Sequence, residues 1–468
     1  MFAARARMPP KVVLAVLCIF GPAKRGSGGA VAAASTTAST TGSQRSIAMA
    51  AVTLFQRENH KKPAHMKTRQ MLAFAARRKI TSDHGIAALL RFPMILTKCA
   101  SCAAPLPHLA KQCSRCKTRY CSAPCQKKHW EEGGHDKLCK KIRKGGGAEQ
   151  YNANKKYAEA TTVAAEACTV DTKGQTCYIC TQALHWKTKE GLVRGCACRG
   201  TAGFAHVSCL AEQAKILMDE AEENNLGAKV LTARFRRWEM CSLCEQDYHG
   251  VVRCALGWAC WKTYVGRPEG NQVRQLAMEM LGNGLFNAGF HADELLVREA
   301  DLSVRLRLGV AEDHILSAQG NLADVYGKLG RREQCLSMRR DVYLKTLKLH
   351  GEEHGDTLRA ADNYAIDLYD LRRFKEAKAL LLKTIPVARR VFGDSDEITL
   401  RIRSIYAGAL YMDDGGTLDD LREAVATLED TARTAQRVFG GSHPRVAAIG
   451  KHLQEARKVL CAHETPSP

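Results

Sequence analysis

Two series of cysteine and histidine residues crowd the middle of this 468-residue chain. The first runs Cys99-x2-Cys102, Cys113-x2-Cys116, Cys121-x3-Cys125 and His135-x3-Cys139. The second runs Cys177-x2-Cys180, Cys196-x-Cys198, His206-x2-Cys209 and Cys241-x2-Cys244. Close pairs of this kind are metal-ligand spacings, and an x3 gap on a helix puts two ligands one turn apart on one face. Sulfur donors with an occasional imidazole suit zinc, which takes four of them in a tetrahedron. Each series offers eight ligands in four pairs, so the spacing predicts two zinc ions per series and four per chain. Four protein ligands per ion leave no position for water, so this metal would be structural. No residue stands out as a nucleophile or a catalytic acid.

The elements that carry these residues belong to a chain of about three domains by length. Fourteen of the 20 cysteines stand in zinc spacing, which favours a reducing, cytoplasmic or nuclear setting where thiolates stay available for metal. The other six (Cys18, Cys168, Cys254, Cys260, Cys335 and Cys461) show no disulfide framework. His185, His249, Cys254 and Cys260 are spare donors, but none offers a pair in the right register. Net charge is +22, and residues 1–144 carry about all of it while the remainder balances near zero. Nucleic acid or an acidic partner is one reading of this excess; a solvated basic tail, with lysines offsetting thiolate charge, is the preferred one, so nucleic acid is not the expected partner.

Near the start, Arg5, Arg7 and Lys11 precede the apolar run Val12–Phe20, which is too short to span a membrane as a helix. It leaves a targeting peptide open. Residues 21–48 are rich in Gly, Ala, Ser and Thr and read as disordered. From Arg69 to Lys98, apolar residues at helical spacing (Met71, Leu72, Phe74, Ile80, Leu89 and Leu90) predict one or two short basic amphipathic helices.

After about Pro268 the pattern is helical and repeats. Gly309, Gly351 and Gly393 are 42 residues apart, and Ala323, Ala365 and Ala407 keep the same period. Val438-Phe439-Gly440 closes a further unit after an insertion containing Asp413-Asp414-Gly415-Gly416. Each unit has room for two helices that cannot bury their apolar faces alone, so units stack into a solenoid. Asn321-Leu-Ala-x-x-Tyr326 with Gly330, and Phe374-x-Glu376-Ala377, resemble kinesin-light-chain-type tetratricopeptide repeats, with Leu281–Gly309 as a degenerate first repeat. The resemblance implies protein or peptide binding.

The phrase Tyr120-Cys-Ser-x-x-Cys125-Gln-x-x-His-Trp130 resembles the MYND zinc finger. That resemblance implies interleaved ligands, with Cys99, Cys102, Cys121 and Cys125 on one zinc. Cys113, Cys116, His135 and Cys139 would take the other. Gly133-Gly134 lengthens the gap before His135 and leaves His129 as an alternative, although His135 has the cleaner relation to Cys139. MYND modules bind short partner peptides, so such partners are implied here.

The second series resembles the RING-CH (RING-variant) domain of ubiquitin ligases through Cys196-Ala-Cys198-Arg-Gly200, His206-Val-Ser-Cys209-Leu210 and Cys241-Ser-Leu-Cys244. Cross-brace pairing would give one zinc Cys177, Cys180, His206 and Cys209, and the other Cys196, Cys198, Cys241 and Cys244. The implied activity is ubiquitin ligation by scaffolding, with a conjugating enzyme as partner. Ile179 lies where RING domains commonly touch that enzyme; core packing is the other reading of it. Two features depart from the family. The 31 residues between Cys209 and Cys241 include an expected helix over Leu210–Glu223, and Gln213 stands where an aromatic is frequent.

The expected architecture is multi-domain, with two small cross-brace zinc modules followed by an all-α tetratricopeptide-like solenoid. Its parts are a basic, largely disordered leader (1–95), a MYND-type finger (96–144), a linker (145–172), a RING-CH-like module (173–262), helical repeats (263–460) and a tail (461–468). The leading functional expectation is a ubiquitin ligase or ligase adaptor; the alternative is a non-catalytic zinc scaffold.

Overall fold

The computed structural model describes residues 98–104, 106, 110–441 and 443–464, all within one unit, Asp83–Pro468. The leader 1–95, its apolar run and most of the amphipathic stretch up to Lys98 lie outside the described residues, as do 465–468.

The first cysteine series folds around a hairpin of β1 (Lys111–Gln112) and β2 (Arg119–Tyr120), with Lys111 opposite Tyr120. Helix α1 (Ala123–Glu131) starts where the Ser122 hydroxyl accepts the Cys125 amide hydrogen, satisfying one of the amides a helix start leaves unpaired. Helix α2 (His135–Lys144) follows. The Gly133-Gly134 departure has a steric reason. Gly134 adopts φ +72°, and a Cβ at Gly133 would lie 2.2 Å from the His129 ring. Among the described residues, Cys99, Cys113, Cys116, Tyr120, Cys139, Ile142 and Ala148 form the buried cluster here.

The stretch 145–172 carries helix α3 (Ala148–Ala167). Its buried stripe is made of small and slender residues (Ala148, Ala153, Thr161, Ala164) around Tyr157. The second cysteine series contains α4 (Val207–Glu223), which begins slightly earlier than expected and ends where Asn225 turns through φ +48°. Next come α5 (Ala228–Phe235), a 3₁₀ turn (Arg236–Trp238) and α6 (Gly250–Tyr264). Ten of the fifteen residues of α6 are buried, so this helix faces protein nearly all round.

Helices α7 (Gln272–Asn287) and α8 (His291–Leu308) cover the stretch expected as a degenerate first repeat, Leu281–Gly309, with α7 starting nine residues before it. The series continues as α9 (Glu312–Lys328), α10 (Arg332–His350), α11 (Gly355–Asp370), α12 (Phe374–Phe392), α13 (Glu397–Tyr411), α14 (Leu418–Phe439) and α15 (Pro444–Glu464). The periodic glycines Gly309, Gly351, Gly393 and Gly440 each end a helix at positive φ. The periodic alanines Ala323, Ala365 and Ala407 are all fully buried. The architecture is thus two cysteine-rich modules followed by a helical solenoid.

One core cluster runs from Ala153 of α3 through Trp238, Leu256 and Trp261 to Leu281, Leu285 and Ala300. The second cysteine module and the first helical repeat therefore share a single interior.

Candidate metal centres

The fold sorts the sixteen donors into four groups: Cys99, Cys102, Cys121 and Cys125; Cys113, Cys116, His135 and Cys139; Cys177, Cys180, His206 and Cys209; Cys196, Cys198, Cys241 and Cys244. Within each group all ligand atoms lie within 4.8 Å of one another. Tetrahedral zinc with Zn–S near 2.3 Å requires sulfurs about 3.8 Å apart. Observed Sγ–Sγ separations are 3.5 Å for Cys102–Cys121, 3.7 Å for Cys113–Cys139 and 3.8 Å for Cys198–Cys241. The donor sets, two of four cysteines and two of three cysteines with one histidine, fit zinc.

The four Cys-x2-Cys pairs that begin at Cys99, Cys113, Cys177 and Cys241 share one turn. In each, the first cysteine's N–H donates to the carbonyl five residues on, and the amide four residues on donates back to that cysteine's carbonyl. The residue carrying the returning amide is Ala103, Lys117, Thr181 or Glu245, all at φ between 55° and 63°. None is glycine, so each turn holds a conformation disfavoured by about 1–2 kcal/mol. Both thiols of each pair fall in the same donor group, and in two cases an amide also points at the first sulfur: Ile179 N to Cys177 Sγ and Leu243 N to Cys241 Sγ, both 3.4 Å.

These amides set the thiol chemistry. Burial raises the Cys99 thiol, but the amides of Cys102, Cys121 and Ser101 outweigh it and draw it down to about 6. Cys244 is drawn down to about 7 in the same way, burial being outweighed chiefly by the Gln246 amide. Cys113 and Cys177 are also lowered against the effect of burial. Their neighbours move the other way. Cys139 is pushed up to about 12 by burial, and Cys121 to about 12 by the thiols of Cys125 and Cys102. Each group thus holds one lowered thiol beside at least one raised one, and a bound divalent metal would favour the thiolate form of the raised thiols.

The histidines are distinguished by their partners. His206 Nδ1 lies 3.3 Å from Cys180 Sγ and 3.6 Å from Cys209 Sγ, while its Nε2–H donates to the Ala183 carbonyl at 3.4 Å. That outer bond fixes the ring so that the inner nitrogen presents its lone pair to a metal. His135 Nε2 lies 3.4 Å from Cys116 Sγ, and burial lowers its pKa, favouring the neutral ligand form. His129 is outside the tetrad, with Nδ1 paired to the Tyr120 hydroxyl at 3.0 Å and its ring 5.1 Å from that of His135. Among the spare donors, Cys254 and Cys260 are buried in α6, where burial raises both thiols.

Sequence reasoning missed a fifth copy of the turn. His185 N donates to Glu190 O, Lys189 N donates to His185 O, and Lys189 sits at φ 58°. Thr188 stands in the second ligand's place and its hydroxyl reaches His185 Nδ1 at 2.8 Å. This turn holds no metal pair. Instead it packs His185 edge-on against His206, and the Glu190 carboxylate caps α4 by accepting from Ser208 N at 2.7 Å. The His-x2-Thr spacing followed by a lysine was the available signal.

Ile179 is 37% exposed, at the tip of its turn. Leu243 occupies the matching position of the Cys241 turn and is 51% exposed, and a 3.0 Å hydrogen bond between the hydroxyls of Tyr178 and Ser242 ties the two turns together. Leu243 was not singled out in the sequence, although its place in Cys-x2-Cys equals that of Ile179. Among the described residues no helix is long and apolar enough to cross a membrane.

Three family models match the chain: the MYND finger over residues 99–139, the RING-variant domain over 177–226 and the tetratricopeptide repeat over 314–390. The RING-variant match stops short of Cys241 and Cys244, which the fold nevertheless brings to Cys196 and Cys198. No curated protein matches the chain. Similar solved structures include BtubC (BKLC) from P. vanneervenii, at 13% identity and TM-score 0.34, covering 56% of this chain and 94% of that one. Another is a kinesin light chain candidate from Podosopora anserina with nearly identical TPR-like repeats, at 17% identity and TM-score 0.34, covering 50% of this chain and 97% of that one. Segment by segment, the chain is similar to a MYND finger, a RING-variant domain and a run of tetratricopeptide repeats.

Proposed function

We propose that this protein is a ubiquitin-ligase-type adaptor. The sixteen grouped donors hold four structural zinc ions, and the RING-variant-like module recruits a conjugating enzyme. The MYND-like finger and the helical repeats take protein or peptide partners. The observation that carries the reading is the paired turns of Cys177 and Cys241. They present Ile179 and Leu243 as two apolar tips braced by the Tyr178–Ser242 hydrogen bond. Such a surface contributes by positioning: it orients a charged thioester for attack by a substrate lysine and needs no nucleophile of its own. The domain partition at 96–144, 173–262 and 263–460 and a cytoplasmic or nuclear setting belong to the same reading.

The test is a ubiquitin-transfer assay on the full chain with a panel of conjugating enzymes. A fragment ending at 262 would cut through α6 and strip its partner α7 from the shared core. Wild type should form conjugates, and Ile179→Ala should reduce them while four zincs stay bound. A wild type as silent as Cys177→Ser with every enzyme would sink the reading. The second reading, a non-catalytic zinc scaffold, is favoured by the long stretch between Cys209 and Cys241, which holds the rest of α4 and all of α5, and by Gln213. It predicts that silence.

A further inference from the structure

Residues 1–144 hold 27 basic and 5 acidic residues, which accounts for the whole net charge of +22. Within the described part of that region the charge is focused on α2. Its buried or half-buried residues are His135, Leu138, Cys139 and Ile142. At 3.6 residues per turn, the side facing away from them carries Lys137, Lys140, Lys141 and Lys144, with the exposed Asp136 as the one acid at its edge. All four are exposed, and none is in an ion pair or over an aromatic ring among the described residues. They form like-charged neighbours at i,i+3 and i,i+4, which work against the helix.

The bland explanations do not account for this face. A helix C-terminus favours cations, which suits Lys141 and Lys144, but Lys137 lies in the first turn, where the helix dipole opposes it. Nor do the lysines offset thiolate charge, because Cys139 lies on the opposite side of the helix. The cationic surface continues past the helix. Gly147 lies against Lys117, and the Ala148 amide bonds the Cys116 carbonyl, so the exposed Arg115 and Lys117 of the second turn stand near the C-terminal end of α2.

We propose that the outer face of α2 binds nucleic acid through its phosphodiester backbone. Lysines are flexible point charges suited to phosphates without the planar fork that reads a base edge, so binding would be independent of sequence. The face carries no aromatic or apolar side chain that would select a peptide motif. Affinity would come from release of counterions from the nucleic acid, and it would fall steeply with salt.

The experiment measures binding of the full zinc-loaded chain to an arbitrary 20-base-pair DNA duplex by fluorescence anisotropy over a range of salt concentrations. The variant K137Q/K140Q/K141Q/K144Q is compared with the charge-keeping K137R/K140R/K141R/K144R. The glutamine variant should bind about tenfold more weakly or worse, and its log-affinity against log-salt slope should fall by up to about 0.9 per lysine removed. The arginine variant should keep both affinity and slope, and both variants should retain four zincs. An unchanged slope in the glutamine variant would assign any binding to the leader and overturn the proposal. Equal competition by polyglutamate would overturn it in favour of an acidic polypeptide.

Discussion

The two metal modules use the same ligands and the same turn, yet they are built on different interiors. In the first, the core cluster has seven buried residues, and four of them (Cys99, Cys113, Cys116 and Cys139) are themselves donors. In the second, Cys177, Cys196, Cys209 and Cys241 join a cluster that already contains Trp238, Leu256, Trp258, Trp261 and Tyr264 and reaches Ala300. A segment of some forty residues buries too little apolar surface to fold alone, so metal must stand in for its core. Where a module shares the interior of neighbouring helices, the metal only shapes one part of a body that hydrophobic burial already holds. Identical coordination chemistry therefore makes different contributions to stability.

The largest expected effect is on metal removal. Structural zinc in small fingers contributes on the order of 10–16 kcal/mol per ion. With a strong chelator, hydrogen exchange should report complete loss of protection over 99–144, while α6 and α7 remain protected. Simultaneous loss in both regions would break the comparison. Next, His135→Gln should release one zinc from the first module, whereas His129→Gln should keep all four; metal analysis showing the reverse would exchange their roles.

A change in the shared interior tests the other side. Trp238 is fully buried, and Trp238→Ala should lower stability by about 3–5 kcal/mol, read as a fall in Tm, with the first module's two zincs retained. A smaller, local effect is expected at Gly203, which sits at φ +82°, where an added Cβ would lie 2.6 Å from Cys198 Cβ and 3.2 Å from Cys196 Sγ. Gly203→Ala should reduce zinc content from four to three per chain without melting α6, as circular dichroism would show. The smallest effect is a gain. Thr181 is a β-branched residue at φ 61°, and Thr181→Gly should stabilise its turn by about 1 kcal/mol if the left-handed strain outweighs glycine's extra chain entropy. Chemical denaturation that showed a loss would mean the Thr181 side chain earns its place by packing.

Much of the candidate site was legible because coordination is a local rule. Two thiols three residues apart can share an ion whatever surrounds them, so the four groups could be set out from spacing and family resemblance. The solenoid was legible for a similar reason: Gly351 and Gly393 end helices and Ala365 and Ala407 pack between them at a fixed period. Two other features were not. The helix over Ala148–Ala167 has weak amphipathic contrast, since its buried stripe is alanine, threonine, asparagine and one tyrosine, and so it read as a connection. The turn at His185 has no second metal ligand to betray it.

The sequence by itself determined the ligand pairs, the repeat period and the concentration of charge in the first 144 residues, because each depends on residue type and short spacing. Only the tertiary structure decided that Cys241 and Cys244 meet Cys196 and Cys198 across two intervening helices. It also set His129 against Tyr120 instead of among the thiols, and turned four lysines of α2 away from the metal. These outcomes depend on which surfaces are buried together, and burial joins residues far apart in the chain through packing that no local pattern encodes.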